Sequence, residues 1–141
     1  MPYKGGAASS ADLAAGQVQF VITNLPEQVA YIKSGRTRAL GVSSAKRTPL
    51  FPDVPTIGET VPGYEVSVWY GLCGPGGMAP SLVEKINADL VKAVTSPETV
   101  KRLADVGIEP APNTPKQFTA FAQSEQAKWA RVVKYAGITA D

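Results

Sequence analysis

The sequence predicts an α/β fold in which a mixed or parallel sheet is covered by C-terminal helices. Before residue 44, two short runs that are predicted to be buried strands flank a helix, and the connections between them are short. This strand–helix–strand order favours parallel pairing with a right-handed crossover. From residue 80 onward the apolar residues recur at helical spacing, so this part is predicted to form helices that cover the sheet.

The first two predicted elements are a helical turn and a strand. Residues 11–15 favour a helical turn, with Ser9 or Ser10 as its N-cap and Gly16 directly after its end. Residues 17–23 are mostly β-branched or aromatic, which predicts a largely buried strand.

The next two elements complete the strand–helix–strand unit. Pro26 stands in the first turn of a predicted helix that runs to about Ser34, and Gly35 closes it. Residues 38–43 then predict a second buried strand.

A proline-rich connection leads to the last predicted strand. Residues 44–63 have no sustained hydrophobic period and indicate a connecting segment, with one short helix around residues 56–60. Residues 64–72 predict a strand, which the glycine-rich turn at 74–77 ends. That turn lacks the Gly-Lys-Ser/Thr sequence of a phosphate loop.

Three helices are predicted in the remaining chain. They span residues 80–95, 97–107 and 115–137. Ser96 and Thr114 are the predicted N-caps of the second and third, each followed by a proline at the first helical position.

The composition excludes several classes of function. The chain has no histidine and one cysteine, which excludes Ser-His-Asp and Cys-His catalysis, histidine metal sites and cysteine clusters. No cofactor is expected. The net charge is only +2 and the basic residues are scattered, so nucleic acid is not an expected partner. Cys73, with apolar neighbours, is predicted to be a buried thiol.

Two segments are candidates for ligand contact. Residues 3–10 form a small-residue loop that leads into a helix, where unpaired N–H groups favour an anion such as a carboxylate. Residues 23–26 lie at the C-terminal end of a predicted strand, where open α/β sheets place ligands. The alternatives are a flexible chain start and a plain N-cap at Asn24. Trp69 either flanks a pocket or packs in the core.

The carboxylates and the basic residues of the last helix suggest no further site. Asp12, Asp53 and two glutamates lie in separate elements, so no sequence-local pair indicates acid/base chemistry. The basic residues at 128, 131 and 134 are typical of a solvated helix face.

The chain resembles, across nearly its whole length, the C-terminal portion of the Bug-type periplasmic solute-binding receptors of tripartite tricarboxylate transporters. The order and spacing of several stretches carry the resemblance. They are Pro2–Gly6, Asp12–Leu13 with Gly16–Val18, Ile32–Arg36 with Arg38–Leu40, Phe51–Thr56, Pro62–Val66, Trp69–Leu72, Pro97–Glu98 with Arg102–Leu103, Thr114–Pro115, and Lys128–Trp129 with Val132–Lys134.

The resemblance implies part of a type II periplasmic-binding-protein (Venus-flytrap) architecture that binds a small organic carboxylate. Its implied contacts are Tyr3, Lys4, Gly5, Gly6, Ala7, Ala8, Thr23, Asn24, Leu25, Pro26 and Trp69. Backbone N–H groups and Thr23 or Asn24 would donate hydrogen bonds to the carboxylate. Transporter subunits in the membrane would be partners of the full-length receptor.

The resemblance also divides the chain. Residues 1–43 would be the remainder of the second, ligand-binding domain, 44–63 a connecting segment, and 64–141 the C-terminal part of the first domain with its covering helices. The sequence departs from the family at Ala8 and Ala30, where proline is usual, and in the turn around Gly74, Gly76 and Met78.

Family members are longer, so an export signal, a first-domain loop that grips the ligand and several strands are expected outside this sequence. Periplasmic location is implied by the family, and cytoplasmic location by the sequence as it stands. An interrupted sheet would favour a homo-oligomer formed by strand or domain exchange.

Two other functions remain open from the sequence. One is an enzyme that reuses the scaffold, with Lys4, Tyr3 or Asp12 recruited at the cleft. The other is a non-binding module that only assembles.

Overall fold

The computed structural model describes residues 3–139, which form two units. One contains the chain up to Leu72 together with Val100–Glu109, and the other contains Cys73–Thr99 and the chain from Pro110 onward. The helices are α1 (Gly6–Ala14), α2 (Leu25–Lys33), α3 (Pro80–Val94), α4 (Pro97–Asp105) and α5 (Pro115–Ala136), with a 3₁₀ turn at Ile57–Glu59.

Helix α1 begins earlier than the sequence predicts. Gly5, with a φ of 122°, is its N-cap, and helical structure starts at Gly6. The prediction of Ser9 or Ser10 as N-cap is wrong, because both hydroxyls lie inside the helix and donate to the Gly6 carbonyl, at 2.9 and 2.7 Å. Small side chains that hydrogen-bond to the preceding turn are compatible with a helix interior.

The other helices and the 3₁₀ turn agree with the predicted bounds to within two residues. Thr114 caps α5 in a reciprocal capping box with Gln117, and Thr56 caps the 3₁₀ turn in the same way with Glu59. Gly137 ends α5 in the left-handed conformation, with a φ of 63°.

The predicted sheet is not confirmed in residues 3–139. Residues 17–23, 38–43 and 64–72 pair into no strand, and the one bridge is a parallel contact between Val42 and Thr56. A single bond, from the Val66 N–H to the Ser43 carbonyl at 2.8 Å, joins the second and third of these segments. A strand needs hydrogen bonds to a partner along its length. Among the described residues, such pairing is limited to the short stretch around Val42 and Ser43.

The same segments expose large apolar side chains. Those exposed by more than half are Phe20, Ile22, Leu40, Val68, Tyr70 and Leu72. The prediction of buried strands at residues 17–23 and 38–43 is therefore wrong for Phe20, Ile22 and Leu40, since no second layer covers them among the described residues. Cys73 is exposed as well, which corrects the prediction of a buried thiol.

The interior of the first unit lies between α1 and α2 and is partly polar. Ser10 is 1% exposed and Val29 is 6% exposed. Gln28 of α2 donates to the Ser10 hydroxyl at 2.8 Å and accepts from Thr37 at 3.3 Å. This chain of hydrogen bonds satisfies the buried polar atoms and fixes α1 against α2.

The second unit is held mainly by contacts of α3 and α5. The Asn87 amide donates to the Asn113 carbonyl at 2.9 Å, which ties α3 to the segment before α5. On α5, Glu125 accepts from Lys128 at 3.0 Å and from the Trp129 indole at 3.1 Å. No described helix is both long enough and apolar enough to cross a bilayer.

Acid should loosen the loop that precedes the 3₁₀ turn. Arg47 binds both carboxylate oxygens of Glu59, at 2.8 and 2.6 Å, and this contact, aided by the Thr56 N–H, lowers the pKa of Glu59 from 4.5 to about 2. A lowered folded-state pKa stabilises the fold above pH 4.5, and that contribution is lost as the pH falls from about 4.5 through about 2.

We expect a carboxyl ¹³C titration to place the Glu59 midpoint near 2 in the wild type and to move it toward the ordinary value of 4.5 in Arg47→Ala, where the hydrogen bonds with Thr56 still hold it below that value. Arg38→Ala, which removes an exposed arginine of the same unit, is the control and should leave the midpoint unchanged. An unshifted midpoint in Arg47→Ala would contradict the assignment.

Candidate ligand-binding site

A cavity of about 580 Å³ lies beside the start of α1. Its wall is formed by the loop and first turn of α1 and by the segment that leads into α2. The lining residues are Tyr3, Gly5, Gly6, Ser9, Val18, Phe20, Val21, Ile22, Thr23 and Asn24. The two segments singled out in the sequence, residues 3–10 and 23–26, therefore both contribute to one cavity.

The start of α1 presents backbone rather than side chains to this cavity. No described side chain caps α1, and Gly5 and Gly6 carry no side chain that would cover the first turn. The N–H groups of a first helical turn lack partners within the helix, and together with the helix dipole they attract negative charge. This part of the wall is suited to an anion.

Tyr3 is fixed at the edge of the cavity by α1 itself. Its hydroxyl donates to the Asp12 carboxylate at 2.8 Å. This hydrogen bond, with smaller contributions from desolvation and the Asp12 charge, raises the pKa of Tyr3 above its ordinary value of 10.0. Tyr3 therefore stays protonated at neutral pH, and Asp12 is engaged in positioning it.

Glu27, which no sequence pattern singled out, lies against Gly6 at the start of α1. The Thr23 hydroxyl donates to the Glu27 carboxylate. Both groups pack closely against the Cα of Gly6, because an ideal Cβ at that position would clash with Glu27 Oε2 and Thr23 Oγ1. The signal available in the sequence was the acid in the first turn of α2, four residues after Thr23.

Asn24 occupies the N-cap position of α2, but its side chain does not cap the helix. Its backbone is extended, with φ −71° and ψ 139°, and its side chain makes no capping hydrogen bond among the described residues. Asn24 lines the cavity, and its role as a ligand contact stays a prediction.

The remaining predicted contacts do not line the cavity. Lys4, Ala7, Ala8 and Pro26 are exposed nearby on α1, α2 or the preceding loop, and Trp69 is 40% exposed in the irregular third segment. Leu25 instead packs beside Gly107, whose ideal Cβ would lie 2.5 Å from Leu25 Cδ2. These residues stay predictions.

Sequence reasoning missed four residues of the cavity wall. They are Val18, Phe20, Val21 and Ile22. They were expected to lie in a largely buried strand, and the unpaired state of residues 17–23 brings them to the cavity wall. Among residues 3–139, no group of three or more Cys, Asp or Glu side chains could hold a metal ion.

Several solved structures share this backbone, and a periplasmic binding protein is among them. Rpa4515 of R. palustris, solved with adipate, superposes with a TM-score of 0.88 at 36% identity, over 99% of this chain and 47% of that one. The periplasmic binding protein BugD gives 0.84 at 32%, over 98% and 47%. MatC from Rhodopseudomonas palustris, with bound malate, gives 0.82 at 31%, over 94% and 47%.

The chain belongs to the tripartite tricarboxylate transporter family of receptors, whose sequence profile matches residues 1–138. A protein of the tcbD-tcbE intergenic region of Pseudomonas sp. strain P51 is 38% identical over 94% of this chain and 40% of its own length. BugT of Bordetella pertussis is 35% identical over 97% and 42%. The chain thus spans less than half the length of these relatives, and the resemblance to Bug-type receptors is confirmed.

Proposed function

We propose that this chain binds a small organic carboxylate at the cavity beside α1, as the part of a tripartite tricarboxylate receptor that holds one end of the solute. The observation that carries the proposal is the meeting of the uncapped α1 start and the Thr23–Asn24 segment in one cavity. The adipate and malate found in two structural neighbours support a carboxylate as the ligand class.

The backbone of the α1 start supplies the anion contact in this proposal. A carboxylate accepts hydrogen bonds only, and the first-turn N–H groups around Gly5 to Ala8 donate them. The Asn24 amide and the Tyr3 ring complete the contact, while Lys4, Leu25, Pro26 and Trp69 would approach only a longer ligand. No cofactor is needed for binding of this kind.

The wider role follows the family. We place the receptor in the periplasm, with the membrane subunits of the transporter as its partners. We assign residues 1–43 to the remainder of the ligand-binding domain and residues 44–63 to a connection. Residues 64–141 are assigned to the C-terminal part of the first domain. The family and its structural neighbours are binding receptors, which supports binding without turnover. The enzyme alternative would require turnover that Lys4→Ala abolishes.

The binding test is an amide NMR titration of the full chain with adipate and malate. We expect fast-exchange shifts at residues 5–8 and 23–24, with a dissociation constant in the millimolar range because only one wall of a clamp is provided. The uncharged diamide of adipate should leave these resonances in place, since it brings no carboxylate to the helix start.

A matched pair of variants localises the site. Asn24→Ala should weaken binding by about threefold to tenfold, whereas Asn113→Ala, which removes an amide side chain in the other unit, should not. Unshifted spectra at saturating adipate and malate would overturn the proposal.

A second candidate, a module that only assembles, is favoured by the exposed apolar side chains. The side chains of Phe20, Ile22 and Tyr70 are 72–84% exposed. Large exposed apolar surfaces are uncommon on soluble monomers and often mark a protein–protein interface. Light scattering on the NMR samples separates the two candidates. A stable homo-oligomer with unshifted resonances favours assembly, and shifts in a sample of any size favour binding.

A further inference from the structure

Three segments of the first unit, residues 17–23, 38–43 and 64–72, leave backbone hydrogen-bonding groups without partners. We call them the open segments. In the part of the chain that the structure describes, the N–H groups of residues 18–22 and 70–72 donate to no backbone carbonyl. Unpaired backbone groups of this kind form a template on which another strand can pair.

The open segments also carry apolar side chains at the spacing of a strand. Val68, Tyr70 and Leu72 stand two residues apart in the third open segment and are 63–75% exposed. Phe20 and Ile22 have the same spacing in the first open segment and are exposed as well. Side chains two residues apart share one face of a strand, so each of these two segments has the pattern of a strand with an apolar face. Apolar faces of this kind are normally covered by another part of a protein.

The structural neighbours indicate which chain would cover the open segments. Rpa4515 superposes on 99% of this chain with a TM-score of 0.88, although this chain covers only 47% of Rpa4515. The open segments therefore keep the backbone of a longer protein while lacking its remaining part. A second copy of this chain would bring no additional segments of that fold, so the remaining part is the better-matched occupant.

We propose that the open segments are a docking surface for the part of a receptor of this family that this chain does not match, and that they accept strands from it even when it is a separate polypeptide. Strand addition combines main-chain hydrogen bonds with the burial of alternate side chains. The open segments offer both, through their unpaired N–H groups and their exposed apolar side chains. Docking of this kind does not depend on carboxylate binding, because it does not use the start of α1.

The test co-expresses the full chain with the part of Rpa4515 that lies outside the match, with an affinity tag on that part only. We expect the two polypeptides to co-purify as an equimolar complex. In this complex the amides of residues 18–22 and 70–72 should exchange with deuterium at least about tenfold more slowly than in the chain alone. A single-chain fusion of the same two parts, in the order in which they occur in a receptor, repeats the exchange measurement if the separate part does not fold.

Two tyrosines provide a matched pair of variants. Tyr70→Asp should weaken the complex by at least about tenfold in analytical ultracentrifugation, because docking would bury a carboxylate against apolar side chains. Tyr70→Phe keeps the apolar ring and should leave the complex intact. Tyr135→Asp is the control, since Tyr135 is 96% exposed on α5 in the other unit, and it should retain the wild-type affinity.

Each outcome decides for or against the docking surface. A complex with slowed exchange in the open segments that is weakened only by Tyr70→Asp supports it. Amides that stay unprotected in both the co-expressed sample and the fusion overturn it, and so does equal weakening by Tyr70→Asp and Tyr135→Asp. Protection that rises with the concentration of the chain alone would identify a second copy as the occupant and also overturn it. Carboxylate titration of the chain alone is a separate measurement, so failure of docking leaves the proposed function in place.

Discussion

Replacing Gly107 with alanine is expected to lower the free energy of unfolding of the first unit by about 2–5 kcal/mol. Gly107 follows α4 with a φ of 76°, and its ideal Cβ would lie 2.5 Å from Leu25 Cδ2 and 3.4 Å from Leu50 Cδ2. The left-handed backbone costs an alanine about 1–2 kcal/mol, and the overpacking against two leucines adds about 1–3 kcal/mol. Urea denaturation followed by tryptophan fluorescence and far-UV circular dichroism measures the change.

Gly35→Ala is the matched control for this substitution. Gly35 has nearly the same φ, 73°, but nothing lies within 4 Å of its ideal Cβ. It should cost only the backbone contribution of about 1–2 kcal/mol. Equal losses in the two variants would mean that the contact with Leu25 contributes nothing, and the packing at Gly107 would have to be reassigned.

Ser10→Ala is expected to lower the free energy of unfolding by about 1–3 kcal/mol, because it leaves the buried Gln28 amide without its acceptor. Ser10 is 1% exposed and Gln28 is 8% exposed, so water does not readily replace the 2.8 Å bond between them. The same denaturation experiment applies, and the loosened contact of α1 and α2 should speed amide exchange in both helices.

Ser9→Ala is the control that separates two contributions to stability, the buried hydrogen bond to Gln28 and the hydrogen bond within α1. Both serine hydroxyls donate to the Gly6 carbonyl, but only Ser10 also accepts from Gln28. Ser9→Ala should therefore change stability by less than about 0.5 kcal/mol. A loss at Ser9 as large as that at Ser10 would show that the bond to Gly6, and not the link to α2, is what matters.

The candidate site was partly predictable. The small residues before α1 and the Thr23–Asn24 pair at a helix start were visible in the sequence, because first-turn N–H groups and N-caps depend on local order alone. Glu27 was not recognised, because its role depends on reaching Thr23 and the bare Cα of Gly6 at once. The apolar residues of the cavity wall were assigned to a buried strand, because the sequence does not show whether a neighbouring segment pairs with residues 17–23.

The sequence by itself determined helices α2 to α5, the N-cap and C-cap of α5 and the family, but not the start or the N-cap of α1. Pro26, Pro97 and Pro115 begin helices and Gly35, Gly107 and Gly137 follow their ends, since φ preferences and capping act within a few residues. Only the tertiary structure decided the state of residues 17–23, 38–43 and 64–72, because a β-branched run becomes a strand only when a neighbour pairs with it. It also decided the hydrogen-bonding direction at Thr23, which depends on a carboxylate of the next helix packing against Gly6.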